Sequence, residues 1–356
     1  MITLLDRYIL RHFLLPLLFS LSAFAMIFVI VDLVERLDTF LDRGTSAITI
    51  VSYYLYYIPY TVTLTLPMAM LLASLFTLGG LNRTNEITAM KAAGVGLYRI
   101  FAPILILSLL VSCLAFVFNE TVVPWATTKR MAIKRATRPG YYAENRYDIL
   151  LRAPDGRIIF VKYYNAEGQS AHNVSIETEH DGQIVTRTTA RRMVWEDGRW
   201  MMHDVEQRRF RGMDEHVEAI PSLIIGDLGL VPQDFSRLQK SPDEMNYTEL
   251  KEYIRRIVLS GRDATRPTVD LNLKIAFPFT NFIIVLFGAP LSSGVRRTGK
   301  AMSFGISLLI SFLYFFCTKT GQVLGWYGFL PPILAAWLGN TVFGIVAITM
   351  FIKVRK

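Results

Sequence analysis

The sequence predicts an integral membrane protein with six transmembrane helices and an all-β domain inserted between the third and fourth helices. Of its 356 residues, 52% are hydrophobic and 19% are charged, whereas a typical soluble domain carries about 25% charged residues. A membrane span needs roughly 20 apolar residues, and uncharged tracts for six spans cover residues 13–31, 44–82, 100–119, 275–295, 301–318 and 320–352. This composition excludes a soluble enzyme, a disordered chain and an outer-membrane barrel, whose strands are shorter.

The distribution of charge predicts the orientation in the membrane. Eleven basic residues, against Asp6 and Glu86 as acidic ones, lie on the N-terminal segment, the 2–3 and 4–5 loops and the C-terminal tail. The rest of the chain is balanced, so these regions carry the whole net charge of +9. Cytoplasmic loops are enriched in Lys and Arg, so both termini are predicted to be cytoplasmic and residues 125–267 to lie on the exported side. The same pattern argues against nucleic acid as a partner.

Residues 1–124 are predicted to form spans 1 to 3. Span 1 starts at Phe13, and the others lie near residues 58–80 and 100–120. The apolar residues of segment 1–12 have helical spacing, which fits either an interfacial helix or a continuation of span 1.

The 2–3 loop, residues 82–94, is predicted to hold a short cytoplasmic helix. Asn82 or Asn85 is placed to cap it, Glu86 suits the positive end of its dipole, and Gly94 ends it. A short helix across the cytoplasmic mouth suits docking on another protein, and an ordinary solvated loop is the alternative.

Residues 125–245 are predicted to form the β domain. Five short runs alternate polar and apolar residues, at 148–153, 157–164, 173–178, 184–195 and 200–205. Asp-Gly pairs lie between runs at 155–156, 181–182 and 197–198. Such pairs are strong hairpin signals because both turn positions tolerate a positive φ. The pattern fits an antiparallel sheet, a sandwich or an open jelly roll.

One row of this sheet is apolar and has two open interpretations. Either it lines a groove for acyl chains or it packs as an ordinary sandwich core. The row contains Ile149, Leu151, Ile159 and Val161, whereas Arg152 and Lys162 are expected on the other face.

Residues 246–267 are predicted to form a helix and a linker, and residues 268–356 to form spans 4 to 6. Asn246 and Glu249 have the spacing of a capping box at the start of the helix. The sequence Gly294–Lys300 resembles a phosphate-binding loop, but Ala301 stands where that motif needs Ser or Thr for magnesium. We therefore expect no nucleotide, metal or other cofactor in this chain, and no catalytic residues.

Several segments together resemble the lipopolysaccharide-export permease family, the F and G subunits of an inner-membrane exporter. The similar segments include Leu-Asp-Arg-Tyr-Ile at 5–9 and residues 85–94, 247–260, 271–278, 305–315 and 325–332. The start of the chain and of span 4 look more like the G subunit. The order of six spans with a β domain between spans 3 and 4 is the specific part of the resemblance.

The resemblance implies a permease subunit of an ABC transporter in the bacterial inner membrane. It implies pairing with a second permease of the family and a cytoplasmic ATPase dimer that binds ATP and Mg²⁺. Lipopolysaccharide would pass from a membrane cavity to a periplasmic jelly-roll domain and then to a bridge protein. The 82–94 helix would couple to the ATPase, and the residues expected there are Arg83, Glu86, Met90, Lys91 and Gly94.

The family's basic residues at the periplasmic end of span 1 contact lipid phosphates, and Arg36 and Arg43 occupy that region here. Four acidic residues crowd them, so local pairing with Glu35, Asp38 or Asp42 is the alternative. The functional alternatives are a membrane-anchored periplasmic lipid-binding or assembly protein without ATP coupling, and an ion-driven lipid flippase. The flippase is poorly equipped, because the charged residues of the spans fall near their ends.

Overall fold

A computed structural model describes residues 4–42, 44–136, 146–166, 168–180, 183–211, 214–225, 228–236, 242–259, 263–294 and 300–353. The chain forms two compact units. The helical unit contains Met1–Ile133, Pro242–Val258 and Asp263–Lys356, and the β unit contains Lys134–Ser241 and Leu259–Arg262.

The described helices and strands follow one another in a simple order. The helices are α1 (Leu4–Asp42), α2 (Ala47–Arg83), α3 (Glu86–Ala92), α4 (Leu97–Ala136), α5 (Pro232–Ser236), α6 (Tyr247–Leu259), α7 (Thr265–Gly294), α8 (Lys300–Trp326) and α9 (Pro332–Lys353). The strands are β1 (Arg146–Arg152), β2 (Ile158–Asn165), β3 (Ser170–His180), β4 (Gln183–Glu196), β5 (Arg199–Arg211) and β6 (Asp214–Ile224).

Six of the described helices are long and apolar enough to cross a membrane, which confirms the predicted fold class. They are α1, α2, α4, α7, α8 and α9. The first three are longer than predicted, with 39, 37 and 40 residues. A span of the bilayer needs only about 20 residues, so hydropathy alone does not reveal how far these helices continue beyond the bilayer.

The ends of the predicted spans change accordingly. Helix α1 runs from Leu4 without a break, so residues 4–12 of the predicted segment 1–12 continue span 1 and do not form a separate interfacial helix. Helix α4 continues past residue 124, where the β domain was predicted to begin, and ends at Ala136.

Helices α2 and α7 form the centre of the helical unit. In their most apolar windows, 61% and 56% of the residues are buried, against 17% in α1 and 28% in α8. A Cβ atom on Gly288 of α7 would lie 2.7 Å from Leu71 of α2, so the two helices approach closely there. Among the residues that the structure describes, α1 and α8 therefore keep large apolar faces uncovered.

A buried polar network joins α7, α8 and α9. The hydroxyl of Tyr314 lies 2.7 Å from the Thr280 hydroxyl and donates to Oδ1 of Asn340 at 2.7 Å. The Asn340 amide donates in turn to the backbone oxygen of Ala276 at 2.7 Å. These bonds satisfy polar groups that would otherwise be costly inside a membrane.

The β unit is one antiparallel sheet in the order β1-β2-β3-β4-β5-β6, in which each strand pairs with its neighbour in sequence. Gly156 and Gly198 adopt φ values of 91° and 74°, and Asp197 adopts 48°, so the two described Asp-Gly pairs form turns. The third pair, at 181–182, lies outside the described residues. Strand β6 was not predicted, because Pro221 interrupts its pattern; a proline is tolerated at the edge of a sheet.

Candidate functional site

Helix α3 begins at Glu86, and the carboxylate of Glu86 is tied to two other parts of the helical unit. The Tyr8 hydroxyl of α1 donates to Oε2 at 2.7 Å, and the Thr84 hydroxyl donates to Oε1 at 2.7 Å. Hydrogen bonds from Tyr8 and then Thr84 hold the pKa of Glu86 below its usual range, against a smaller opposing effect of burial. Sequence reasoning singled out Glu86 but missed Tyr8.

The predicted capping of this helix is wrong in its details. Asn82 lies inside α2, and Asn85, which occupies the N-cap position, has a φ of 61° and makes no side-chain cap hydrogen bond. The left-handed backbone of Asn85 differs from the extended backbone of a capping residue. The predicted end of the helix at Gly94 agrees with the structure. Gly94 has a φ of 85°, and its N–H donates to the backbone oxygen of Lys91 at 3.0 Å.

The remaining residues predicted for this helix lie at different depths. Arg83 ends α2 and is exposed, and Lys91 is exposed on α3. Met90 is half-buried against the core of the helical unit, and the buried Ile87, which sequence reasoning missed, belongs to that core. Ile87 and Met90 therefore anchor α3, while Arg83 and Lys91 are accessible.

At the other end of α1, Arg36 is paired within its own helix. Its Nε donates to Oδ1 of Asp32 at 2.9 Å, and Oδ2 of Asp32 accepts a hydrogen bond from Tyr54 at 3.1 Å. The partner is thus Asp32 and not one of the three carboxylates considered above. Arg36 keeps 39% of its side chain exposed. Arg43 lies outside the described residues.

A second cation in this region was missed by the sequence reasoning. The guanidinium of Arg130 on α4 lies 4.7 Å from the ring centre of Tyr57 and 5.4 Å from that of Tyr60, both on α2. Tyr57 packs in turn with Phe40, Tyr53 and Tyr54 in a small buried cluster. Cation–π contacts of this kind hold a charge against an apolar surface.

An apolar groove runs between α1, α2 and α8. Its volume is about 660 Å³. Phe28 of α1 and Met68 of α2 face Leu308 and Phe312 of α8, and Lys319 is the charged residue of its lining. The Nζ atom of Lys319 donates to Gln322 at 2.8 Å, and the residue is exposed. A slot with apolar walls and a cation at one end suits an amphiphile that has alkyl chains and an anionic headgroup.

In the β unit, the predicted acyl-chain row lies inside a packed core. Ile149 is 5% exposed, Ile159 and Val161 are fully buried, and Leu151 is half-buried against them. Residues 228–236 cover this face: Trp200 donates to the oxygen of Leu230 at 2.9 Å, and Tyr164 to that of Pro232 at 3.1 Å. An acyl chain reaches these positions only if residues 228–236 move away, so the acyl-chain role stays a prediction.

The described residues contain no group of three or more His, Cys, Asp or Glu side chains placed to hold a metal ion. Residues 295–299, which carry most of the sequence that resembles a phosphate-binding loop, lie outside the described part of the chain. The candidate site consists of the groove between α1, α2 and α8 and of helix α3.

Among the described residues, six helices long enough to cross a membrane and an inserted antiparallel sheet define a multi-pass membrane protein with a β domain. The chain belongs to the lipopolysaccharide export system permease LptF/LptG family, whose model matches residues 7–353. It is 24% identical to the lipopolysaccharide export system permease protein LptF of Escherichia coli strain K12, over 97% of this chain and 93% of that protein.

Relatives of the other type are similarly distant. Identity is 20% to LptG of Escherichia coli strain K12, over 98% of both chains. It is 22% to LptG of Haemophilus influenzae, over 96% of both chains. The chain is thus similar to permeases of both types, and the closer resemblance to the G subunit stays a prediction.

Proposed function

We propose that this permease takes lipopolysaccharide from the outer leaflet of the inner membrane into the groove between α1, α2 and α8. The observation that carries this proposal is the apolar groove with Lys319 at one end. The acyl chains occupy the apolar walls, and Lys319 lies where a headgroup phosphate would be. The names of the related permeases support lipopolysaccharide as the lipid.

The exposed apolar faces of α1 and α8 support pairing with a second permease of the family. One copy leaves the groove open along α8, since Leu308 and Phe312, which line it, are 47% and 66% exposed. A second permease would close the groove into a cavity. The lipid then passes to the periplasmic β unit and on to a bridge protein.

A separate ATPase dimer supplies the energy in this proposal. Helix α3 lies on the side that the charge distribution assigns to the cytoplasm. Lys91 of α3 and Arg83, the last residue of α2, are both exposed. ATP and Mg²⁺ are bound by the ATPase and not by this chain.

Photo-crosslinking tests the groove with a matched control on one helix. A photo-reactive amino acid at Leu308, which lines the groove and is 47% exposed, should capture lipopolysaccharide in living cells. The same amino acid at Leu313, which is 46% exposed but outside the lining, should capture mainly phospholipid. Equal capture of lipopolysaccharide at both positions would contradict the proposed groove.

Co-purification separates the proposal from its alternatives. Mild extraction of the tagged chain should recover an ATPase and a second permease, and the ATPase activity should respond to lipopolysaccharide. A lipid-binding protein without ATP coupling would come without an ATPase, and an ion-driven flippase would respond to an ion gradient.

A further inference from the structure

We infer that the hydroxyl of Tyr8 is a positioning group that makes α1 move together with α3. The inference rests on the proposed function, in which α3 receives movement from an ATPase and α1 forms one wall of the lipid groove. It adds a residue outside the 82–94 loop to the coupling machinery.

The first part of α1 is fastened to its neighbours by side chains distant in sequence. Tyr8 donates to Glu86 of α3 at 2.7 Å. Arg99 of α4 donates to both oxygens of Asp6, at 2.5 and 2.9 Å, and Thr77 of α2 donates to the oxygen of His12 at 3.0 Å. Ile9, Phe13 and Leu17 of the same part of α1 are buried.

The later part of α1 is much less enclosed. Among its described residues, none between Phe24 and Phe40 is buried. Phe28, which lines the lipid groove, lies in this open part. A displacement of the fastened end is thus free to reach the groove wall through the continuous backbone of one helix.

Tyr8 joins α1 to the short helix itself. The bond to Glu86 is charge-assisted, since a neutral hydroxyl donates to a carboxylate, and such bonds are stronger than neutral ones. Ile87 anchors the next residue of α3 in the core, so α3 moves as a supported element and not as a loose loop.

A cavity beside this contact gives α1 room to shift. Its volume is about 690 Å³, and its lining includes His12 and Phe19 of α1, Gly80 of α2, Glu86 of α3 and Ser303 of α8. Close packing at this joint would resist such a shift.

The test compares Tyr8→Phe with Tyr98→Phe in the complete complex, in nanodiscs that contain lipopolysaccharide. Tyr8→Phe removes the donor and keeps the ring beside His12, whose centre is 4.2 Å away. Tyr98 is a matched control: it is 37% exposed against 39% for Tyr8, and its hydroxyl donates to the backbone oxygen of Phe351 at 3.2 Å.

We expect Tyr8→Phe to lower the stimulation of ATP hydrolysis by lipopolysaccharide about fivefold, while the KM for ATP and the yield of assembled complex stay unchanged. Tyr98→Phe should behave as the wild type. In a double-mutant cycle, Tyr8→Phe combined with Glu86→Gln should lose no more than Glu86→Gln alone, because Tyr8 acts through Glu86.

Spin labels distinguish a coupling role of Tyr8 from a purely structural one, because they measure whether α1 moves when nucleotide binds. In the wild type, the distance between labels at Ile27 of α1 and Phe316 of α8 should change when nucleotide binds, and in Tyr8→Phe it should not. If Tyr8→Phe couples as well as the wild type and moves the labels equally, the role of Tyr8 is overturned. A wild-type complex without any response to lipopolysaccharide would instead count against the proposed function itself.

Discussion

At the scale of single residues, the charge of Lys319 and the carboxylate of Glu86 carry the two predicted contacts with other molecules. In the sequence, Lys319 is identifiable as a charge near the end of a span and Glu86 as the acidic residue of the 2–3 loop, but their partners are not. Tyr8 is 78 positions from Glu86, and no local pattern in the sequence brings such residues together. Lys319 is inferred to bind a headgroup only because Phe28, Met68 and Phe312 form the apolar walls of the same groove.

Replacing Lys319 with Gln should weaken lipopolysaccharide capture at Leu308 about threefold to tenfold. A charge-assisted contact contributes about 1.5–3 kcal/mol at most, and solvent reduces that contribution at an exposed site such as this one. Lys319→Arg should retain capture. Arg266→Gln, at an exposed position of α7 outside the groove lining, removes a positive charge as a control and should have no effect. Equal losses in Lys319→Gln and Arg266→Gln would point to net charge and not to a contact.

Glu86 should titrate below the usual range of a glutamate, because hydrogen bonds from Tyr8 and Thr84 favour its charged form and lower its pKa. A lowered pKa means that the stabilising contacts are complete at neutral pH and are lost only as the pH falls through that pKa. The infrared difference spectrum between the wild type and Glu86→Gln reports the titration. In Tyr8→Phe the midpoint should move upward, and an unchanged midpoint would show that Tyr8 does not hold the carboxylate in solution.

At the scale of elements, alternation and Asp-Gly pairs located five of the six strands, and hydropathy located all six membrane helices. The lengths of α1 and α4 were not predictable from hydropathy, since their polar ends are stabilised by contacts within the protein. Glu120 of α4, for example, accepts a hydrogen bond from the backbone of Tyr247 at 2.6 Å. The predicted capping box is confirmed: Asn246 Oδ1 accepts from the Glu249 N–H at 2.8 Å, and Glu249 accepts from the Asn246 N–H at 3.0 Å.

Replacing Asn246 with Ala should destabilise the first turn of α6 by about 1 kcal/mol. Amide exchange of residues in that turn should then accelerate about fivefold if they exchange through local opening. Thr248→Ala, at an exposed position of the same turn, is the control. Similar acceleration in both variants would mean that the capping box does not limit the opening.

Replacing Ile159 with Ala should lower the free energy of unfolding of the β unit by about 2–5 kcal/mol, because it opens a cavity in a packed core. Lys162→Ala, on the same strand and exposed, should change it by about 0.5 kcal/mol or less. Protease resistance of strands β1 to β5 in the full-length protein measures the difference. A stable Ile159→Ala protein that captures less lipid in its β unit would favour the acyl-chain groove instead.

At the scale of the whole molecule, the charge pattern predicts an orientation that single cysteines test. In a background with Cys113→Ser and Cys317→Ser, an impermeant thiol reagent should label Ile48→Cys and Phe329→Cys from the exported side, since these residues are 80% and 75% exposed. Ala93→Cys, at the exposed end of α3, should react only after the membrane is permeabilised. The opposite result would invert the topology and remove α3 from the cytoplasm.

The length of α1 has a mechanical consequence. At a rise of about 1.5 Å per residue, its 39 residues make a rod of about 57 Å. If such a rod pivots near the end where Asp6 and Tyr8 hold it, a tilt of about 5° carries the far end sideways by about 5 Å. That stroke is comparable to the width of one alkyl chain, so a small rotation at one surface of the membrane is amplified into the opening or closing of a lipid-sized gap near the other.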